Sequence, residues 1–78
     1  MKAVKKELTE RQLDCLFYLV QGMTIREIAE ILSLSARTVE HYLEAVKAKL
    51  GCKNRSQLIA KAFKMDIIRD KINLLAKS

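Results

Sequence analysis

The chain has 78 residues, of which 50% are hydrophobic and 31% are charged, so we expect one folded domain with a modest core rather than a disordered tail. Its formal net charge of +6 favours a polyanionic partner, either nucleic acid or an acidic membrane surface. The apolar run from Leu16 to Val20 is far short of the roughly 20 residues that a membrane-spanning helix needs, which excludes an integral membrane protein.

The scarcity of turn residues favours helices over sheet. Proline is absent and glycine occurs only at Gly22 and Gly51, so the chain has few of the turn-forming residues that tight β-hairpins need. We therefore predict an all-α domain with either four or five helices.

The first two predicted helices follow one another closely. Thr9 and Gln12 have capping-box spacing, and helix one ends near Gln21, just before Gly22. Thr24 and Glu27 repeat the capping box, which predicts a short helix two over residues 25–32.

The third and fourth helices begin at polar caps in the same way. Ser35 caps a predicted helix three over residues 36–50, whose buried stripe contains Val39, Val46, Leu50 and either Tyr42 or Leu43. Asn54 and Gln57 begin helix four. Residues 66–76 either continue that helix or turn at Asp66 into a fifth, and the sequence does not choose between these alternatives.

A short helix and a longer one, joined by a three-residue turn, form the arrangement that presents a second helix to the major groove of DNA. That pattern spans Thr24 to Leu50. The predicted stripe leaves one side of helix three free for a polar set that is the candidate reading face: Arg37, Glu40, His41, Glu44, Lys47 and Ala48.

Several spaced motifs resemble one known family. They are Leu-Thr-Glu-Arg at 8–11, Gly-Met-Thr at 22–24, Glu-Ile-Ala at 27–29, Leu-Ser-Ala-Arg-Thr-Val-Glu at 34–40 and Lys-Leu-Gly-Cys-Lys-Asn-Arg at 49–55. In this combination the chain resembles the LuxR-type (GerE-like) helix-turn-helix domain over about residues 8–68. The resemblance implies a four-helix domain of a bacterial transcriptional regulator that binds DNA as a homodimer paired through helix four.

The resemblance also implies roles for individual residues. It places base contacts on Glu40, His41 and Glu44, and dimer contacts on Ile59, Ala62 and Phe63. It places phosphate contacts on six further residues: Arg26, Arg37, Thr38, Lys47, Lys49 and Arg55.

Two acidic residues on the reading face depart from the family pattern. Many relatives have basic residues where Glu40 and Glu44 stand. Phosphates repel a carboxylate in the groove unless it accepts a hydrogen bond, most simply from cytosine N4. Gln12 stands where a glutamate is common in the family, but it retains capping capacity.

Other site chemistries find no support in the sequence. Cys15 and Cys52 with the single histidine cannot form a four-ligand zinc site, and we expect both cysteines to be reduced. No paired carboxylates, phosphate-binding glycine loop or nucleophile with a plausible histidine partner indicates an enzyme. We expect no metal, no cofactor, no membrane partner and a cytoplasmic location.

Three segments and two alternative functions complete these expectations. We predict a basic N-terminal arm or linker at 1–7, the DNA-binding domain at 8–68 and a helical extension at 69–78. A sigma-factor region-4-like promoter reader, which binds RNA polymerase, would have similar features. The other alternative is a helical protein-interaction module that has lost DNA binding. A regulator also has RNA polymerase as a possible partner.

Overall fold

The computed structural model describes residues 8–64, which form four α-helices and no strand. These are α1 (Glu10–Val20), α2 (Ile25–Leu32), α3 (Ala36–Leu50) and α4 (Arg55–Lys64). The predicted all-α class and the bounds of helices two and three are confirmed. The predicted arm at 1–7, the fifth helix and the extension at 69–78 lie outside the described residues.

Each helix begins at a polar side chain that accepts a backbone hydrogen bond. Thr9 Oγ1 accepts the Gln12 N–H at 3.1 Å, and Gln12 Oε1 accepts the Thr9 N–H at 3.0 Å. Thr24 and Glu27 form the second reciprocal pair, and Ser35 Oγ accepts the Thr38 N–H at 3.0 Å. These contacts satisfy donors that have no partner within the helix.

The start of α4 differs in one detail from the predicted capping pair. Asn54 Oδ1 accepts the Gln57 N–H at 2.9 Å, as expected of a cap. Gln57 Oε1, however, accepts the Lys53 N–H at 2.8 Å, one residue before the position that a capping box would use. The side chain therefore also orders the turn that leads into α4.

Helices α1, α2 and α3 end with the same closure, in which one residue takes a left-handed conformation. At the end of α2 this residue is Ser33 (φ 57°), the Leu34 N–H donates to the Ala29 carbonyl at 2.8 Å, and the Ser33 N–H donates to the Glu30 carbonyl. Gly22 and Gly51 occupy the equivalent positions after α1 and α3. This pair of hydrogen bonds defines the Schellman motif, which usually has glycine at the position of Ser33.

The core surrounds α3, which packs against each of the other three helices. Val39, Leu43, Val46 and Leu50 are its buried residues, whereas Tyr42 is half-buried, so Leu43 occupies the position that the sequence left open. The remaining helices contribute Leu16, Ile28 and Leu58, which are fully buried. Burying each such aliphatic side chain contributes about 1.5–3 kcal/mol.

A long-range hydrogen bond joins the end of α3 to the beginning of α1. Lys49 Nζ, in the last turn of α3, donates to Gln12 Oε1 in the first turn of α1 at 3.0 Å. Gln12 is the one buried polar residue of the described core, and its Oε1 also accepts the Thr9 N–H. One amide oxygen therefore caps α1 and holds α3 against it.

Cys15 and Cys52 are both free cysteines in the described chain. Cys15 lies in the core, where burial, together with the charge of Asp14, raises the pKa of its thiol. The thiol therefore stays protonated and packs as a small apolar side chain. No described helix is long and apolar enough to cross a membrane.

We predict that Gln12→Glu stabilises the domain. A carboxylate at this position would lie at the positive end of α1 and form a charge-assisted bond with Lys49, which together outweigh its desolvation and contribute about 1 kcal/mol. Urea unfolding measures the change. In a double-mutant cycle, Lys49→Met should remove most of the gain, and an equal gain with and without Lys49 would contradict the assignment.

We also predict that Ser33→Gly raises the free energy of unfolding by about 1 kcal/mol, because glycine adopts the left-handed conformation without the penalty that a Cβ atom imposes. Ser35→Gly is the matched control. It removes the hydroxyl that caps α3, so stability should fall by a few tenths of a kcal/mol. Thermal or denaturant unfolding compares the two, and a loss of stability in Ser33→Gly would refute the prediction.

Candidate nucleic-acid interface

One side of α3 is free because its other side is fixed by the core. Arg37, Glu40, His41 and Glu44 are all exposed on this free side, as the sequence predicted. Their spacing of three and four residues places them on neighbouring turns. The exposed side forms a continuous polar surface, which we call the reading face.

The beginning of the reading face is a shallow depression. Arg37, Thr38, His41 and Tyr42 line it. The Ser35 cap holds one of these lining residues, because Ser35 Oγ lies 2.9 Å from Thr38 Oγ1 and also accepts the Thr38 N–H. A guanidinium, an imidazole and two hydroxyls there supply hydrogen-bond donors next to the helix N-terminus, where anions are favoured.

A second feature lies further along α3, where α2 and α4 meet it. Glu40, Glu44, Lys47 and Arg55 line the same small crevice. Lys47 Nζ lies 2.9 Å from Glu44 Oε2, and the Lys47 side chain is only 22% exposed whereas that of Glu44 is 72% exposed. Lys47 is therefore less accessible than predicted and is already paired with a residue of the reading face.

The N-termini of α2 and α4 approach each other beside this crevice. Thr24, Arg26 and Arg55 line one shallow depression together with apolar residues of α1 and α4. Arg26 and Arg55 are both exposed. Two residues predicted to contact phosphate, from separate helices, are thus brought to one side of the domain.

Lys49 lies apart from the other predicted phosphate contacts. It is two residues after Lys47, which corresponds to a rotation of about 200° around a helix. Its ammonium group accordingly donates to Gln12 Oε1 of α1 at 3.0 Å instead of entering the crevice that Lys47 lines. The structure thus gives Lys49 a packing contact, and its contact with phosphate stays a prediction.

The predicted dimer residues differ in their exposure along α4. Phe63 is 58% exposed, one of two large apolar side chains so exposed in the described chain, and Ile59 is half-buried. Ala62 is fully buried in the core of the protomer. The exposed stripe beside Phe63 is instead formed by Ser56 and Ala60, which the sequence reasoning did not select.

The sequence reasoning also missed a division of charge along the chain. Residues 45–64 contain no aspartate or glutamate, but they contain six basic residues: Lys47, Lys49, Lys53, Arg55, Lys61 and Lys64. A simple charge count would have found this. Within residues 8–64 no group of three or more His, Cys, Asp or Glu side chains is arranged to hold a metal ion.

Comparison with known proteins identifies relatives of this domain. The family model described as bacterial regulatory proteins, luxR family, matches residues 6–62. VjbR of Brucella abortus (strain 2308), an HTH-type quorum sensing-dependent transcriptional regulator, is 46% identical over 66 residues, which are 85% of this chain and 26% of VjbR. The transcriptional activator protein AhyR of Aeromonas hydrophila is 42% identical over 64 residues, 82% of this chain and 25% of AhyR.

A solved structure has the same fold. The crystal structure of the phage VqmA-DPO complex aligns with a TM-score of 0.75 and 39% identity over 78% of this chain and 28% of that one. This chain spans about a quarter of the length of the curated relatives. The family and these relatives are regulatory proteins rather than enzymes, in agreement with the sequence prediction. The chain belongs to the luxR family of bacterial regulatory proteins, whose helix-turn-helix domain it contains.

Proposed function

We propose that this chain binds duplex DNA with sequence specificity, as the DNA-binding part of a bacterial transcriptional regulator. The observation that supports this best is the exposed polar side of α3, which has the arginines of two other helix N-termini beside it. A helix with such a face fits the major groove, where base edges carry the sequence information. A DNA partner would place the chain in the cytoplasm.

The two classes of contact fall on different parts of the surface. Glu40, His41 and Glu44 project from the middle of α3 and are suited to base edges. Arg26 and Arg55, at the beginnings of α2 and α4, are suited to the phosphates that border the groove. Arg37 and Thr38 occupy the corresponding place at the beginning of α3.

We further propose that two copies pair through α4. Phe63 is 58% exposed and lies beside Ile59, Ser56 and Ala60, a mostly apolar stripe without charge. Burying the exposed part of one such phenylalanine contributes about 2 kcal/mol per protomer. Ala62, which is buried, would support this surface from the core side.

The family match favours a transcriptional regulator over the sigma-factor alternative. RNA polymerase remains a proposed partner of that regulator.

Arg26→Ala and Arg55→Ala should weaken binding to all duplexes, because each removes one phosphate contact, and should flatten the salt dependence by about one unit each. Arg11→Ala is the matched control. It removes the same charge from α1, where Arg11 is paired with Asp14 at 3.6 Å. Fluorescence anisotropy over a salt series measures the slopes, and equal slopes for all three variants would contradict the interface.

Phe63→Ser should shift the chain from dimer to monomer by at least about tenfold in the dissociation constant, while changing the free energy of unfolding by less than about 0.5 kcal/mol. Ile31→Ser is the matched control, since Ile31 is the other large exposed apolar residue, at 47%, and lies on α2. Analytical ultracentrifugation measures the equilibrium. A wild-type dimer that survives Phe63→Ser would remove α4 from the interface.

A further inference from the structure

We propose that Glu44 and Lys47 form a preassembled reader of cytosine, in which Lys47 orients and neutralises the carboxylate instead of contacting phosphate. This inference rests on the proposed function, since it concerns the same surface of α3. It changes the role of Lys47 from the predicted phosphate contact to that of a residue that helps to determine sequence specificity. The geometry of the pair and the chemistry of the major groove support it.

The pair already exists in the free domain. Lys47 Nζ lies 2.9 Å from Glu44 Oε2, one turn back along α3. The lysine side chain is mostly enclosed in the crevice that Ile25, Leu43 and Leu58 also line, whereas Glu44 is 72% exposed. Enclosure in the crevice holds the Lys47 side chain in place, and the exposure of Glu44 keeps its second oxygen, Oε1, available to the groove.

The contribution of this pair to folding is small. An ion pair with one partner as exposed as Glu44 adds little to stability, because water screens the charges and two side chains lose freedom. When DNA covers the reading face and excludes water, the same attraction becomes stronger. The pair therefore has more effect on how the carboxylate meets DNA than on the stability of the domain.

Major-groove chemistry identifies the base. Guanine and thymine present only acceptors and a methyl group, and adenine presents a donor beside an acceptor. Cytosine is the one base whose groove edge carries a donor, the N4 amino group, and no acceptor. A carboxylate accepts from cytosine N4 and is repelled by the acceptor atoms of the other bases, so Glu44 both selects a C·G pair and penalises its alternatives.

Glu40 is a second carboxylate on the reading face, and its distance from Glu44 sets the spacing between the two base pairs that they would contact. Glu40 and Glu44 are four residues apart, which is about 6 Å along a helix. Base pairs repeat about every 3.4 Å along the duplex. The two carboxylates therefore face base pairs that are at most about two steps apart.

Selection of bound sequences from a randomised duplex pool tests the reader. The wild-type chain should enrich a motif with a C·G pair that Glu44→Gln loses, while the rest of the motif persists. Glu44→Gln should at the same time bind unrelated duplexes more tightly, since one negative charge is removed from the groove. Glu30→Gln is the matched control: it removes an exposed carboxylate of α2 and should leave the motif unchanged.

A chemical probe then tests the hydrogen bond itself. N4-methylcytosine keeps its pairing with guanine, but the methyl group replaces the hydrogen that points into the groove. At the selected cytosine this change should weaken wild-type binding about tenfold and leave the affinity of Glu44→Gln nearly unchanged. The same modification on a cytosine outside the motif serves as the control duplex.

A double-mutant cycle tests the role of Lys47. Lys47→Met keeps most of the apolar stem, so its folding should be retained, as thermal unfolding checks. We expect about a tenfold loss of affinity in the wild-type background and little loss in the Glu44→Gln background. An equal loss in both backgrounds, with a salt slope lowered by about one unit, would make Lys47 a phosphate contact and overturn the assignment.

The remaining outcomes separate this inference from the proposed function. Wild-type enrichment of a motif that is the same for Glu44→Gln, or one without a C·G requirement, would overturn the cytosine reader while leaving sequence-specific binding intact. No duplex binding at low salt by a folded wild-type chain would contradict the proposed function, and the reader with it.

Discussion

The orientation of α3 about its own axis determines which of its side chains are exposed and therefore what the surface of the domain can bind. Val39, Leu43, Val46 and Leu50 hold that orientation, because they are buried against three other helices. A shift by a single residue would turn the helix by about 100° and exchange apolar for charged side chains in the core. The cost of burying even one unpaired carboxylate there exceeds what any single aliphatic contact returns. The polar face is thus fixed by the apolar one.

The helix ends then set how α2 and α3 are joined. Ser33 adopts the left-handed conformation at the end of α2, and Ser35 caps α3 two residues later. A turn this short leaves few alternative paths, so the two side-chain requirements fix the direction in which α3 leaves. A serine at φ 57° is less favourable than a glycine by about 1 kcal/mol, which the completed Schellman hydrogen bonds and the buried stripe on either side offset.

Local features of this fold could be predicted from the sequence, whereas long-range ones could not. Caps and stripes depend on residues three or four apart, so Thr9, Thr24 and Ser35 marked the helix starts correctly. Lys49 and Gln12 are 37 residues apart, and no periodicity links them. The burial of Ala62 likewise depends on how α4 lies on the other helices. Periodicity could not choose between Tyr42 and Leu43 because both flank the stripe.

In the proposed function, the division of charge along the chain separates nonspecific attraction to DNA from recognition of its sequence. Within residues 8–64 all six acidic residues precede residue 45, and two of them, Glu40 and Glu44, lie on the reading face. The cations of residues 45–64 supply charge outside its centre. Binding to arbitrary DNA grows with the number of phosphates neutralised, whereas discrimination grows with contacts that only the correct bases can satisfy. Acidic residues in the middle of the face lower the first quantity and raise the second, so the ratio between specific and nonspecific affinity increases even though total affinity does not.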